Sequence, residues 1–190
     1  MAALAALPYS SRAQCPDATG PAPDPATCPW TPATTYKQVP GTSCWATVLY
    51  CWRNCSTGNQ VWVYEIDPDP GAPCDALTPQ QLIDGAREIG LEDACTNFGL
   101  SPCYKGYPAQ IVTTYSPSCW VAHLSLTSGI QLEGCAAFSC YCERTCDVCA
   151  LGGGQFLVTN CHHTGVGYCD CPPAPITPWP IGECYSVLCN

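Results

Sequence analysis

The chain has 190 residues, of which 19 are cysteines, 20 are prolines and 16 are glycines, and its formal net charge is −9. Ordinary soluble domains contain about a quarter charged residues and few cysteines, whereas only 11% of this chain is charged. The six cations are spread singly, which excludes a basic surface for nucleic acid, and no apolar run reaches the roughly 18 residues of a membrane span. A composition of this kind is typical of secreted proteins, in which disulfides supplement a modest core.

Residues 1–27 are predicted to form a signal-like, extended N-terminal arm. The first seven residues, MAALAAL, are apolar, and the SRA sequence at 11–13 resembles the small-residue end of a secretory signal. The rest of the arm is rich in proline, which fixes the backbone φ angle and cannot donate a hydrogen bond to a neighbouring strand. A disulfide between Cys15 and Cys28 would close this arm.

A first β-rich half is predicted at residues 28–100, and it contains a hairpin. Residues 44–52 and 60–66 are rich in β-branched and aromatic side chains, and the segment between them has turn chemistry. Both faces of the first strand are apolar, so we expect each face to be covered, by another sheet or by another subunit. Asn54 begins an Asn-Cys-Ser sequon in the turn, which predicts N-glycosylation, with an unmodified turn asparagine as the alternative.

One short helix is predicted at about 78–90. Thr78 can cap it, with Pro79 at the first helical position and Gln81 three residues after the cap. Gly90 is expected to end the helix. The apolar stripe between these limits predicts that the helix packs on one face of the sheet.

A second β-rich half is predicted at residues 101–171 as a duplicate of the first, because four short motifs recur in the same order. The matching segments are 34–36 with 113–115, 43–45 with 118–120, 50–55 with 141–146, and 60–75 with 155–170. The predicted fold class is therefore mainly β, with two duplicated, disulfide-stapled, hairpin-like or sandwich-like halves and one short helix. A proline-rich C-terminal arm is predicted at 172–190.

The cysteines predict disulfides whose pairing the sequence leaves open. Four cysteines of one half match four of the other, so two bonds within each set is the economical arrangement. The predicted disulfide cysteines are Cys44, Cys51, Cys55 and Cys74, Cys119, Cys142, Cys146 and Cys169, and Cys15 and Cys28. Because 19 is odd, one thiol must be free, bound to metal or paired with another chain, and the last option predicts covalent assembly.

A zinc site is the alternative role for some of these cysteines. The C-terminal half combines closely spaced thiols with two histidines, which are ligand types that zinc prefers. The candidate ligands are Cys140, Cys142, Cys146, Cys149, His162, His163, Cys169 and Cys171. Because the matching cysteines of the first half have no histidines beside them, disulfides are favoured, and no metal or other cofactor is predicted.

No catalytic constellation is recognisable, so the chain is predicted not to be an enzyme. It has only three histidines and lacks the nucleophile, zinc-protease and phosphate-loop motifs. Glu65, Glu133 and Glu143 have no context typical of the paired carboxylates of glycoside hydrolases. Trp45, Trp62 and Trp120 lie inside predicted strands, where they are expected either to fill the core or to stack on neutral sugars.

The Tyr-Cys-x-Arg motifs at Tyr50 and Tyr141, the Ser-Cys-Trp strand starts and the helix at 77–91 resemble uncharacterised cysteine-rich secreted proteins of environmental bacteria. The resemblance covers roughly residues 28–171 and implies an extracellular β-rich protein. Members of that kind include pilus-like fibril subunits, so the resemblance also implies self-assembly.

Apolar hairpins, extended arms and low charge agree with this implication. We therefore predict a structural subunit of an extracellular filament or surface fibre, a helical homopolymer built from copies of the chain by arm or strand exchange. The alternative is a secreted carbohydrate- or protein-binding module, with glycans as partners and no catalysis.

Overall fold

The computed structural model describes residues 15–16, 28–56, 58–104, 107–125, 129–135, 140–173 and 181–189. Within these residues the chain forms nine strands and two helices, which confirms the mainly β class. The strands are β1 (Thr31–Gln38), β2 (Trp45–Cys55), β3 (Gly58–Pro68), β4 (Gln110–Pro117), β5 (Cys119–Ser125), β6 (Gly129–Gly134), β7 (Tyr141–Gly152), β8 (Gln155–Val166) and β9 (Cys184–Ser186). The helices are α1 (Ala72–Asp75) and α2 (Pro79–Cys95).

All nine strands belong to one mixed sheet, which forks at β3. β2 pairs antiparallel with β3 along its whole length, so only the other edge of β3 is left for further strands. On that edge, β4 pairs in parallel with residues 59–62 and β6 pairs antiparallel with residues 65–66. One branch therefore runs β3-β4-β7-β8, and the other runs β3-β6-β5-β9.

Two three-stranded antiparallel ribbons carry three of the four repeated motifs, whereas the motif at 118–120 runs into β5, outside both ribbons. The first ribbon is β1-β2-β3, and the second ribbon is β4-β7-β8. Their registers differ: Tyr36 lies opposite Thr47, ahead of the Tyr-Cys-x-Arg motif, whereas Tyr115 lies opposite Glu143, inside it. The duplication therefore stays a prediction.

Helix α2 begins as the sequence predicts and ends later. Thr78 and Gln81 form a capping box. The expected end at Gly90 is wrong, because the helix continues to Cys95. A Cβ at position 90 would lie 2.6 Å from Cγ2 of Val63, so this glycine allows the helix to approach β3 closely. The expectation of a single helix is also wrong, since the short α1 precedes α2.

The two faces of the first ribbon are covered by different groups. On one side, which we call the helix face, α2 packs on β2 and β3 as predicted, and the core includes Val48, Tyr50, Val63, Ile83 and Ile89. On the other side, which we call the open face, a smaller cluster joins Cys51, Trp62, Tyr64 and Tyr115, with Trp30 and Tyr141 packed against it. Aromatic side chains from both ribbons therefore cover part of the open face.

Arg87 connects α2 with the second ribbon and with the C-terminal segment. This buried side chain donates from Nε to Ser116 Oγ in β4 (2.8 Å) and from Nη1 to Asp84 (2.7 Å) and the Leu188 carbonyl (3.1 Å). Burial lowers the pKa of Arg87, and the Asp84 carboxylate opposes that shift. These hydrogen bonds offset part of the cost of removing the guanidinium from water, while among the described residues Nη2 is buried without a hydrogen-bond partner.

The two predicted arms are each tied to the sheet. Cys15 is disulfide-bonded to β2, while the signal-like residues 1–14 lie outside the described residues. The prediction of an extended C-terminal arm is wrong for residues 184–189, because β9 pairs with β5 and both cysteines of this segment form disulfides. Residues 174–180 lie outside the described part of the chain.

Candidate assembly interface

Nine disulfides pair eighteen of the nineteen cysteines, including all ten that the sequence singles out. The pairs are Cys15–Cys51, Cys28–Cys55, Cys44–Cys74, Cys103–Cys149, Cys119–Cys171, Cys135–Cys184, Cys140–Cys169, Cys142–Cys189 and Cys146–Cys161. Such a network is typical of proteins that fold in an oxidising compartment.

The pairing differs from the economical arrangement of two bonds within each matched set. Among the matched cysteines, only Cys44 and Cys74 bond to each other. The closure of the arm by a Cys15–Cys28 bond is also wrong. Because β1 pairs antiparallel with β2 from Thr31 opposite Trp52, continuing that register places Cys28 beside Cys55. Strand register, and not the repeat, therefore selects this bond.

The unpaired cysteine is Cys95, in the last turn of α2. It is 2% exposed, and burial raises the pKa of its thiol to about 12. A buried, protonated thiol is a poor nucleophile. Of the three roles that the odd cysteine count allows, the structure supports a free thiol, and the predicted covalent link between chains is wrong for this residue.

The structure disperses the predicted zinc ligands. Cys142, Cys146 and Cys149 bond to three different partners, at Cys189, Cys161 and Cys103. His162 and His163 lie exposed on β8. The histidines are therefore not gathered with the thiols. Of that set, Cys140 and Cys169 bond to each other, and their sulfur atoms lie close to that of Cys119.

Asn54 is exposed near the end of β2, opposite Asn59 of β3. The turn that follows is shorter than the sequence predicts, because β2 runs to Cys55 and β3 begins at Gly58. The exposed amide is sterically open, and its glycosylation stays a prediction.

The three carboxylates singled out in the sequence lie on two branches of the sheet. Glu65 in β3 is buried and lies opposite Glu133 in β6, and it accepts a hydrogen bond from Gln131. His123 of β5 lies 3.5 Å from Glu133. Glu143 lies in β7, beside Tyr115. The carboxylate of Glu133 thus has the His123 ring as a neighbour, and no catalytic role is assigned to these groups.

Trp62 and Trp120 belong to the core, whereas Trp45 does not. Trp45 is 43% exposed and stacks on Tyr36, which is 53% exposed, with ring centroids 5.2 Å apart. The Tyr36 hydroxyl donates to Asp69 at 2.5 Å, and this hydrogen bond raises the pKa of Tyr36. The pair forms an exposed aromatic surface on the first ribbon, and sugar stacking at this surface stays a prediction.

Strand β8 forms one edge of the sheet over twelve residues. Its sequence, QFLVTNCHHTGV, contains no lysine, arginine, carboxylate or proline, which are the residues that usually block sheet edges. Two residues of β8, Asn160 and Cys161, lie between the pairs that flank Cys146 of β7, so a bulge interrupts the edge there. Among the described residues, no strand pairs with the outer side of the segment before the bulge, residues 155–159.

Exposed apolar side chains lie in that segment of β8 and in β7 and β4, the next two strands of the sheet. Leu157 in β8 and Ile111 in β4 are 44% and 54% exposed, and Leu151 at the end of β7 is also exposed. The registers of β7 with β4 and β8 place these residues on neighbouring strands. We call Ile111, Leu151 and Leu157 the hairpin patch. Apolar patches of this kind mark interaction surfaces when they are contiguous.

No known family model, curated protein or solved structure matches this chain. Among the described residues, no helix is long and apolar enough to cross a membrane. The resemblance to cysteine-rich secreted proteins therefore stays a prediction, and functional inference depends on the geometry of the sheet edge.

Proposed function

We propose that this protein is a structural subunit of an extracellular filament and that its copies join through their sheet edges. The disulfide network supports an oxidising, extracellular location. The observation that carries the proposal is the edge of β8, which lacks blocking residues and is bordered by the hairpin patch. A strand from another copy would complete the hydrogen bonding of residues 155–159 and would pack beside Leu157 on that edge.

The topology favours head-to-tail joining. β1 and β8 lie at opposite ends of the path β1-β2-β3-β4-β7-β8. A contact between the β8 edge of one copy and the β1 edge of the next uses two different surfaces, so each added copy leaves a new edge for the following copy. Pro32 and Lys37 block the two ends of β1, so the contact would use the residues between them, 33–36. Such heterologous contacts produce a filament when the rotation between copies does not close a ring.

The proposal is tested by electron microscopy of the purified protein and of two charge variants. Leu157→Lys places a charge on the proposed edge, and we expect it to abolish the fibres that the unmodified chain forms. The matched control is Ile111→Lys, which places the same charge on the same patch but in β4, an interior strand of the sheet. Fibres should persist in this control. If the unmodified chain stays monomeric at all concentrations, the proposal is contradicted.

Deletion of residues 1–14 separates edge joining from exchange of the N-terminal arm. This truncation keeps Cys15 and its bond to Cys51, and it keeps β1 intact. Edge joining predicts that fibres still form from the truncated chain. Loss of fibres on truncation, with a folded monomer remaining, would instead assign the donated strand to the arm.

A further inference from the structure

A small cavity lies between α2 and the second ribbon. Its polar lining comes from α2, β4 and β7, at Arg87, Thr114, Ser116 and Arg144. Thr114 lies directly opposite Arg144 in the register of β4 with β7, so these two side chains are on the same face of the sheet. The exposed His163 of β8 borders the cavity as well. Two of the six cations of the chain therefore meet at one place.

Both guanidinium groups have partners at two of their three nitrogen atoms. Arg87 uses Nε and Nη1, in the bonds to Ser116, Asp84 and Leu188 described above. Arg144 donates from Nη1 to Glu88 and from Nη2 to Cys161 Sγ, the latter at 3.5 Å. The remaining nitrogen atoms, Nη2 of Arg87 and Nε of Arg144, are buried and have no hydrogen-bond partner among the described residues.

The Thr114 hydroxyl is in the same condition. Within the described ranges, four buried side-chain atoms lack a hydrogen-bond partner, and three of them belong to residues that line this one cavity. Arg87 and Thr114 are 5% and 3% exposed, so bulk water does not supply the missing partners. Because a buried polar group without a partner is costly, three such groups around one cavity indicate a shared ligand.

The chemistry of the three groups favours an anion over a water molecule. Nη2 of Arg87 carries two hydrogens and Nε of Arg144 carries one, and neither nitrogen can accept a hydrogen bond. The Thr114 hydroxyl can donate a further hydrogen. A water molecule accepts about two hydrogen bonds, whereas a halide ion accepts more and also carries the charge that attracts both guanidinium groups. Burial lowers the pKa of Arg87, Asp84 opposes this shift, and the nearby charge of Arg144 lowers the pKa further.

The carboxylates near the cavity are engaged elsewhere. Asp84 and Glu88 each accept a hydrogen bond from Nη1 of one arginine. Glu143 also borders the cavity, but the alternation of β7 places its side chain on the face opposite to Arg144. There it accepts a hydrogen bond from Thr145, at 3.4 Å. The three groups without partners are thus available to an anion from solution.

We propose that Arg87, Thr114 and Arg144 bind a single halide ion of the chloride class. The cavity accommodates a particle of about the size of a water molecule, which makes it too small for phosphate or sulfate. The ion would join α2 to β4 and β7 at a point where the helix and the second ribbon meet. This site does not depend on filament formation.

The linewidth of the chloride NMR signal, measured in NaCl solution with the folded protein, tests the site. Thr114→Val keeps the shape of the side chain and removes the hydroxyl, and we expect about tenfold weaker chloride binding. The matched control is Thr113→Val, the same substitution on the opposite face of β4, where the Thr113 and Thr145 hydroxyls lie 3.2 Å apart. Its chloride binding should equal that of the unmodified chain. Equal binding by the two variants would overturn the proposal.

Anomalous diffraction from crystals grown in NaBr locates the ion independently of any variant. We expect a bromide peak within hydrogen-bond distance of Nη2 of Arg87 and Nε of Arg144. Ordered density at that position without an anomalous signal would identify a water molecule and would contradict the site. Bromide peaks found only at other positions would have the same meaning.

Discussion

The first and second ribbons share an antiparallel plan and related motifs, but their surroundings differ. In the first ribbon, α2 covers β2 and β3, and β3 is buried over almost its whole length. In the second ribbon, most residues of β8 are exposed, and no residue of that strand is buried. The sequence of the strands therefore determines how they pair within a ribbon. The element packed against the ribbon determines which of its residues are buried in the core and which remain exposed.

The comparison is tested most strongly at Arg87, which joins the helix over the first ribbon to β4 of the second. Arg87→Ala removes hydrogen bonds to Ser116 and Leu188 and the ion pair with Asp84, so we expect about 3 kcal/mol of destabilisation. Denaturant unfolding measures this change. Lys37→Ala removes an exposed pairing with Glu92 and Asp93 instead and should cost less than about 1 kcal/mol.

The same truncation in each ribbon compares covered with uncovered strands directly. Val63→Ala in β3 removes a fully buried side chain under α2, and we expect a loss of about 2 kcal/mol in the free energy of unfolding. Val158→Ala in β8 affects a half-buried position and should cost less than about 1 kcal/mol. Equal losses in urea unfolding would show that β8 is covered in solution as well as β3.

A smaller effect is expected at alkaline pH, because Cys95 lies under α2. Its pKa is raised from 9.0 to about 12 by burial. The folded state therefore holds the proton more tightly than the unfolded chain does. The contribution of this raised pKa to the free energy of unfolding is fully present below pH 9. It is lost as the pH rises from about 9 toward about 12.

Between pH 8 and pH 10 we expect the free energy of unfolding to fall by about 1 kcal/mol. Cys95→Ala should flatten this slope, whatever its effect on stability at neutral pH. Tyr50 and Tyr115, whose pKa values are also raised by burial from 10.0, begin to contribute as the pH approaches 10, so the variant should reduce the slope without removing it. An unchanged slope in the variant would show that the thiol is not the titrating group.

Local features of the fold were predictable from the sequence, and features that depend on tertiary contacts were not. The capping box at Thr78 and the two hairpins depend on neighbouring residues, so pattern and turn chemistry were sufficient. The helix end was mispredicted because Gly90 serves a contact with Val63 that is 27 residues away in the chain. The fork at β3 likewise depends on pairings between distant strands.

The candidate interface was predictable only in part. The absence of charge and proline in residues 155–166 is visible in the sequence, but only the topology shows that this segment is a sheet edge. The exposure of Trp45 was also not visible, because both faces of its strand are apolar in sequence, as they are in a core strand. Disulfide pairing required the strand register that brings Cys28 beside Cys55.

The disulfide connectivity also imposes an order of maturation on the chain. The three bonds of the first ribbon close within residues 15–74, so they can form while synthesis of the chain is still in progress. Four of the other six bonds require a cysteine between residues 169 and 189. The second ribbon therefore reaches its final covalent form only after residue 189 emerges. A truncation near the C-terminus would leave a mature first ribbon attached to an unfinished second one.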